Sequence, residues 1–214
     1  VAKLPIGVDI DNLIEDLINF SWEASEILLY YSRILKESEH KNDLIKIKDN
    51  KDPVTLADIK VNELIIQRIN NAYKNCEWDI LSEESSMPNR SFSKEIKEWL
   101  WILDPLDGTK DFIQGTGNYA MHLALNYNHK PYLGVVLIPE KDELWISNGK
   151  KVWCERSDGS HKVILETVRK EINDMTIVLS KNHRNSDLEN LIEKIKFKNV
   201  KSMGSIGCKI ASLI

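Results

Sequence analysis

The sequence predicts an α+β fold, in which helices pack on sheets, and three patterns indicate it. Apolar residues recur at three- and four-residue steps over positions 9–36, which is typical of a long amphipathic helix. Short apolar runs alternate with turn residues over 119–153, which indicates an antiparallel meander. The pattern changes after Ser157. We therefore expect an α+β domain at 1–157 and a smaller α/β domain at 158–214.

The C-terminal part predicts alternating strands and helices. The run "MTIVLS" is typical of a buried strand, and the residues after it have helical spacing. The last fifteen residues contain a glycine-rich turn between two ordered segments. The elements expected there are a strand at 175–180, a helix at 187–196 and, within 200–214, a strand, a turn and the start of a helix.

Composition and charge limit the classes of function. The chain has 214 residues, of which 42% are hydrophobic, and this is enough to form a substantial core. Its net charge of −4 argues against a nucleic-acid polymer as partner, because such partners are bound through broad basic surfaces. No apolar run reaches the roughly 18 residues of a membrane span, and the first residues lack the pattern of a secretory signal. We therefore expect a cytoplasmic protein without a transmembrane segment, whose three cysteines are reduced.

Local signals predict the elements that precede the meander. Positions 37–53 are dense in charge and predict a solvated hairpin or loop. Thr55 then precedes apolar residues at helical spacing, with Asp58 three positions later, so a helix should begin there with Thr55 as its N-cap. The runs "WDIL" (78–81) and "WLWIL" (99–103) predict strands that are buried on both faces.

The stretch "WILDPLDGTKDF" places two acids directly after a buried strand. Proline cannot donate a hydrogen bond to a strand ladder, so we expect the proline to end the strand with Asp104 extended at its tip. Gly108 permits a sharp turn, and Thr109 can cap a following helix. Asp107 and the free backbone N–H groups of this turn should then lie close together, where a helix start would hold a phosphate.

A second acidic pair follows the neighbouring apolar run. In "ILSEES", Glu83 and Glu84 come directly after a strand, and they would meet Asp104 and Asp107 if the two strands lie side by side. Carboxylates gathered in one pocket repel each other unless some are protonated or cations lie among them. With oxygen ligands only, Mg²⁺ suits such a site. Two of the pieces alone have a simpler explanation, since "EES" is typical of a solvated loop and the acid in the preceding helix start is typical of a capping box. The stretch "DPLDGT" favours a functional role, because two acids directly after a buried strand are costly for a mere turn.

The spacing of the two acids argues against a covalent mechanism. Haloacid-dehalogenase phosphatases end a strand with Asp-x-Asp-Gly-Thr, in which the first Asp is the nucleophile and the second protonates the leaving group. Here Asp104 and Asp107 are one residue further apart, and the alternation along a strand would aim the pair differently. We therefore do not expect an aspartyl-phosphate intermediate.

Three segments together resemble the signature motifs of the inositol-monophosphatase superfamily of Mg²⁺-dependent, lithium-sensitive phosphatases. They are "DPVTLAD" (52–58), "ILSEES" (80–85) and "WILDPLDGTKDF" (101–112). Within the superfamily "DPLDGTK" resembles the 3'(2'),5'-bisphosphate nucleotidases, since inositol monophosphatases usually carry a second Thr in place of Lys110. The segments "SKNHRN" (180–185) and "GSIGCKIASLI" (204–214) also resemble nucleotidase segments. The resemblance implies a layered α-β-α-β-α sandwich like that of inositol monophosphatase and fructose-1,6-bisphosphatase.

The resemblance also implies a role for each matching position. The ligands implied for two or three Mg²⁺ ions are Glu83, Asp104, the Leu106 carbonyl, Asp107 and, for a weaker third ion, Asp58. The catalytic residues implied are Asp58 and Thr109, which would orient the attacking water. The residues implied around these groups are Gly108 and Thr109, whose amides would bind the phosphate, and Glu84, which would lie behind the metal ligands. The residues implied on the nucleotide side are Ser180, His183, Gly204, Ser205 and Lys209.

The implied activity is hydrolysis of a phosphomonoester by metal-activated water. The implied substrate and partner is a small phosphonucleotide, 3'-phosphoadenosine 5'-phosphate, which would yield AMP and phosphate and connect the protein to sulfur metabolism. Two other functions stay open. One is an inositol monophosphatase or a related sugar phosphatase, and the other is a phosphonucleotide-binding protein with impaired catalysis.

One motif of the superfamily has no counterpart in these residues. Members continue past the segment that resembles "GSIGCK" to a Trp-Asp pair, whose Asp completes the second metal site. The chain stops at Ile214, and its pair at Trp78 and Asp79 comes too early. We therefore expect a truncated C-terminal domain, and a polypeptide that binds metal weakly and turns over slowly.

Overall fold

The computed structural model of the protein describes residues 4–37, 44–47, 53–84, 97–164, 171–181 and 185–214. Within these ranges the chain forms five α-helices and eleven strands. No helix there combines the length and the apolar character that crossing a membrane would need. The cysteines, all three of them described, are free thiols, as predicted.

The core lies between two helices and one face of a seven-stranded sheet. Helix α1 (Ile10–Glu37) packs against helix α2 (Leu56–Ala72), and the apolar sides of both helices face the sheet. The predicted amphipathic helix is thus confirmed. The strands of this sheet are β3 (Asp79–Ser82), β4 (Trp99–Asp107), β5 (Ala120–Tyr127), β6 (Lys130–Ile138), β7 (Glu143–Ser147), β8 (Val152–Glu155) and β9 (His161–Ile164). They lie side by side in chain order, with β3 parallel to β4 and each later pair antiparallel, which confirms the meander.

Two small sheets flank the large one. Strand β1 (Ile45–Ile47) pairs antiparallel with β2 (Pro53–Thr55), which agrees with the hairpin expected there. Strand β10 (Thr176–Ser180) pairs in parallel with β11 (Asn199–Met203), and helix α4 (Ser186–Ile195) lies between them in the chain. We call the described residues from 171 onward the C-terminal segment. Its elements agree with the sequence prediction.

Helix α5 (Ile206–Ala211) joins the C-terminal segment to the large sheet. Alternation along β5 turns Ala120 and His122 away from the core beneath α1 and α2, and Gly207 of α5 lies against both residues. Cys208 of α5 is fully buried in a small apolar cluster with Ala120 and Ile138. Helix α5 therefore covers part of the second face of the sheet, which gives a helix-sheet-helix order of layers.

Strands β3 and β4 are buried on one face only, contrary to the prediction. Trp101 and Leu103 point into the core, whereas Ile102 between them is 37% exposed and Leu81 of β3 is 54% exposed. An apolar residue at an outward position hides the alternation that normally distinguishes a half-buried strand. The short apolar runs therefore predicted more burial than the sheet provides.

Strand β4 runs through Pro105 instead of ending before it. Pairing with β5 is regular up to Asp104 opposite His122 and resumes at Asp107 opposite Ala120, with an irregularity between the two positions. A proline is tolerated in such a bulge because no ladder hydrogen bond is required of it there. The prediction that Asp104 is the tip of the strand is therefore wrong, since the strand ends at Asp107.

The large sheet continues beyond Ser157. The N–H of Arg156 donates to the Ser160 carbonyl at 2.9 Å, and this turn joins β8 to β9 as a hairpin. The turn residues explain the change of sequence pattern at this point. The division of the chain into domains at 1–157 and 158–214 stays a prediction.

Candidate active site

The ends of β3 and β4 bring the two acidic segments together. The strands are parallel neighbours with Ser82 opposite Leu103, and the N–H of Glu83 donates to the Leu103 carbonyl at 3.2 Å. The backbone of Glu83 thus lies beside the position of Asp104. The condition on which the meeting of the two acidic segments depended, that these strands lie side by side, is therefore met.

Asp104 is a half-buried carboxyl group with a raised pKa. Burial raises its pKa to about 7, the charges of Glu83 and Asp107 act in the same direction, and the charge of His122 acts against them. Its Oδ1 accepts a 3.1 Å hydrogen bond from the Leu106 N–H, which holds the side chain against the bulge. A cation beside this carboxyl would favour its ionised form.

Asp107 is the residue at which three segments of the chain meet. Its Oδ2 accepts hydrogen bonds from Ser205 Oγ at 2.6 Å and from the Gly207 N–H at 3.0 Å, and both donors lie at the start of α5. His122 Nε2 of β5 lies 3.2 Å from the same oxygen. Burial acts to raise the pKa of Asp107, but these contacts outweigh it and hold the pKa below its usual value. Asp107 is therefore held ionised and in one orientation.

The turn after the second acid of the motif requires glycine. Gly108 has φ = +88°, and a Cβ there would lie 2.9 Å from the Asn118 carbonyl oxygen. Helix α3 (Thr109–Ile113) follows with Gly108 as its N-cap, so the prediction that Thr109 caps this helix is wrong. The Thr109 hydroxyl instead donates to the Leu106 carbonyl at 3.1 Å. Thr109, which is implied in catalysis, is therefore in direct contact with Leu106, whose carbonyl is implied as a metal ligand.

Asp58 lies at the start of α2 and is 2% exposed. The N–H and hydroxyl of Thr55 donate to its Oδ2 at 2.7 and 2.6 Å, and the predicted capping box is confirmed. Burial raises the pKa of Asp58 to about 6; the hydrogen bonds from Thr55 act against this rise, and the charge of Glu84 adds to it. The cap explains the position of Asp58, and its interaction with Glu84 connects it electrostatically to the acidic strand ends.

Sequence reasoning missed His122. The residue lies opposite Asp104 in the pairing of β4 with β5, and its ring contacts Asp107. A signal was present, because it is the one titratable side chain in the apolar run "AMHLAL" of the predicted meander. Asp111 and Lys181, which form an ion pair beside the turn, were missed as well.

Four of the five residues predicted for the nucleotide side lie in the C-terminal segment. Ser180 ends β10, Gly204 and Ser205 follow β11, and Lys209 lies on α5. The Ser205 hydroxyl is already bonded within the protein, to the second acid of the motif. His183 lies outside the described residues. The contact of these residues with a nucleotide stays a prediction.

The donor chemistry at the strand ends suits Mg²⁺. Glu83, Asp104 and Asp107 provide carboxylate oxygens, and the neighbouring Leu106 provides a carbonyl oxygen, as this hard cation prefers. In the described ranges no group of three or more His, Cys, Asp or Glu side chains is gathered closely enough to hold a metal ion. The described residues therefore include suitable ligands whose charges interact. Their side chains are not already arranged around one metal position.

Comparison with known protein families gives a match over nearly the whole chain. The model of the inositol monophosphatase family matches residues 9–214. The chain belongs to the inositol monophosphatase family. The superfamily predicted from the three acidic motifs is thereby confirmed.

Three similar proteins define how far the likeness extends. The 3'(2'),5'-bisphosphate nucleotidase CysQ of Buchnera aphidicola is 32% identical over 164 residues, which cover 75% of this chain and 58% of that protein. The chain thus spans less than two thirds of this relative. The crystal structure of CysQ from Bacteroides thetaiotaomicron is 25% identical with a TM-score of 0.64, and the match covers 92% of this chain and 73% of that one. That of the suhB protein from Bartonella henselae has a TM-score of 0.70 at 20% identity, covers 94% and 74% of the two chains, and confirms the layered fold.

Proposed function

We propose that this protein is a Mg²⁺-dependent phosphomonoesterase that hydrolyses 3'-phosphoadenosine 5'-phosphate to AMP and phosphate. The observation that carries the proposal is that the adjoining ends of β3 and β4, before the turn at Gly108, carry Glu83, Asp104 and Asp107, whose charges interact. Lys110 in the motif and the likeness to proteins named 3'(2'),5'-bisphosphate nucleotidase support the nucleotide substrate. This activity would place the protein in sulfur metabolism, and a cytoplasmic location is part of the same proposal.

The acidic side chains are assigned to two or three Mg²⁺ ions. Bound Mg²⁺ would act as a Lewis acid, which lowers the pKa of a bound water and neutralises the charge of the phosphate oxygens. The raised pKa of Asp104 supports this assignment, because a carboxyl crowded by burial and by like charges favours a neighbouring cation. The Leu106 carbonyl and Glu83 would be further ligands of these ions. Asp58 would lie beside a third ion, which binds more weakly.

Thr109 and Asp58 are assigned to the attacking water. The Thr109 hydroxyl is oriented by its hydrogen bond to the Leu106 carbonyl, so its oxygen is available to accept a hydrogen bond from water. Asp58 has a pKa of about 6 and is therefore largely ionised at neutral pH, where it can accept a proton. The amides of Gly108 and Thr109 would bind the phosphate that the water attacks.

The test measures phosphate release from 3'-phosphoadenosine 5'-phosphate and from inositol 1-phosphate, with and without Mg²⁺. We expect Mg²⁺-dependent release from the nucleotide, and Asp104→Asn should reduce it by about a hundredfold or more because a ligand charge is lost. Asp158→Asn is the matched control, because Asp158 lies in the exposed β8–β9 turn and its hydrogen bond to the Ser160 N–H survives the change.

Each other result assigns the site differently. Preference for the inositol ester would move the activity to inositol phosphates with the same acidic residues. Nucleotide binding without release from either substrate would favour a phosphonucleotide-binding protein. Release that is equal in the Asp104→Asn and Asp158→Asn variants would contradict the role given to the strand ends.

A further inference from the structure

Asp111 is a buried carboxylate directly after the turn. It is 1% exposed, and its Oδ1 accepts a 2.7 Å hydrogen bond from the Thr116 hydroxyl. The ammonium group of Lys181 lies 3.3 Å from the same oxygen. Oδ2 is buried as well, and no donor in the described part of the chain reaches it. A carboxylate with so little solvent depends on the cation that is paired with it.

Lys181 reaches Asp111 from the C-terminal segment, where its backbone is anchored. Its N–H donates to the Met203 carbonyl at 3.1 Å and extends the pairing of β10 with β11 by one residue. Its ammonium group also donates to Gln114 Oε1 at 2.7 Å. One side chain thus contacts both the middle and the C-terminal end of helix α3.

The turn at Gly108 and the start of helix α3 are consequently held from both sides by the C-terminal segment. Asp107, just before the turn, accepts hydrogen bonds from Ser205 and Gly207. Asp111, in the first turn of α3, is paired with Lys181. Helix α3 has only five residues, and a helix this short has little stability of its own. Its orientation therefore depends on contacts with the rest of the fold, which are these contacts and the burial of Phe112 against Tyr119.

We infer that Lys181 is a positioning residue, which acts through Asp111 to hold helix α3 and the preceding turn in one orientation. The part of this inference that concerns catalysis rests on the proposed function, because it takes the turn at Gly108 and Thr109 as the phosphate-binding element. Lys181 need not touch the substrate, since its ammonium group is directed to Asp111 and Gln114. Its loss should therefore act on every phosphomonoester alike.

The first experiment measures amide hydrogen exchange in α3. The N–H groups of Phe112 and Gln114 donate to the Gly108 and Lys110 carbonyls and report whether this short helix opens. In Lys181→Met we expect their exchange to become about tenfold faster, because the helix loses its contact and a buried carboxylate loses its cation. Lys181→Arg, which keeps the charge, should restore most of the protection.

The matched control for exchange is Lys198→Met. Lys198 lies in the same segment and faces Asp174 at 3.9 Å, with both side chains more than half exposed. Its replacement should leave the two amides unchanged. Unchanged exchange in Lys181→Met, or equal acceleration in both variants, would overturn the inference whether or not the protein releases phosphate.

The second experiment compares kcat/KM for 3'-phosphoadenosine 5'-phosphate and for p-nitrophenyl phosphate. Lys181→Met should lower both values by the same factor, because the two substrates share only the phosphate group, and Lys181→Arg should restore both. A loss confined to the nucleotide would overturn the positioning role and would place Lys181 on the nucleotide itself. Normal exchange protection in a wild-type chain that is inactive on both substrates would count against the proposed function alone.

Discussion

Ser205 donates a 2.6 Å hydrogen bond to Asp107, although the two residues lie 98 positions apart in the chain. The same hydroxyl oxygen accepts a 3.1 Å hydrogen bond from the Cys208 N–H and so caps helix α5. One small side chain therefore orients a carboxylate of the candidate site and begins the helix that covers the second face of the sheet. Formation of the site and docking of α5 are coupled through this residue.

Ser205→Ala should lower the free energy of unfolding by about 1–2 kcal/mol, because it removes an N-cap and one hydrogen bond to a partly buried carboxylate. Urea unfolding measures the change. Ser212→Ala is the control, since the exposed Ser212 hydroxyl bonds only to the neighbouring Lys209 carbonyl among the described residues. An equal loss of stability in both variants would show that the hydrogen bond to Asp107 does not contribute to the free energy of unfolding.

Gly207→Ala should destabilise the protein by about 1–3 kcal/mol, because overpacking of a tight contact displaces its neighbours. A Cβ at this position would overlap the imidazole of His122 and approach Ala120 Cβ within 3.0 Å. The control is Gly134→Ala on β6, where a Cβ would meet nothing within 4 Å. The midpoint of urea unfolding should shift for the first variant and stay nearly constant for the second. A reversed order would contradict the packing of α5 on β5.

Asp58 should make the metal-free protein less stable at neutral pH than at low pH. Its folded-state pKa of about 6 lies above the ordinary value of 3.8, so the folded chain binds this proton more tightly than the unfolded chain does. The free energy of unfolding should therefore fall as pH rises from about 4 to about 6, by at most about 3 kcal/mol from this group. Asp58→Asn, which keeps the oxygen acceptor for Thr55, should flatten that part of the stability curve. Curves of equal slope for the two proteins in EDTA would refute the assignment.

Mg²⁺ should raise the melting temperature of the wild-type protein at pH 7.5. A ligand at a hundred times its Kd adds about 2.7 kcal/mol, and 1 kcal/mol corresponds to roughly 2–4 °C for a chain of this size. Asp104→Asn should reduce this shift, because it removes one charge from the acidic strand ends, whereas the exposed Asp158→Asn should keep it. The metal-free melting temperature of Asp104→Asn should itself be higher than that of the wild type, because the group with a pKa of about 7 no longer has to ionise. Thermal shifts that do not differ among the three proteins would place the cation elsewhere.

The sequence predictions were correct where the signal for an element lies within a few residues. The Thr55 and Asp58 cap lies within four residues, and the structure has the reciprocal capping box that the pattern implies. The two strands that end in acids followed from their apolar runs, but their parallel pairing was only a condition in the sequence argument and is seen in the structure. The strand end at Pro105 failed, because a bulge against β5 accommodates the proline and only the partner strand provides it.

The sequence by itself determined which residues are available for chemistry at the strand ends, and it determined the family through the order of the three acidic motifs. Tertiary structure alone decided what surrounds them. Asp107 is ionised and oriented because Ser205, Gly207 and His122 reach it from two other elements, and Asp111 is paired because Lys181 reaches it across the turn. The sequence pattern of a single strand indicates where its own residues turn and which of them are buried. A long-range contact depends on how distant strands pack. The charges and hydrogen bonds of this site are therefore properties of the packed fold.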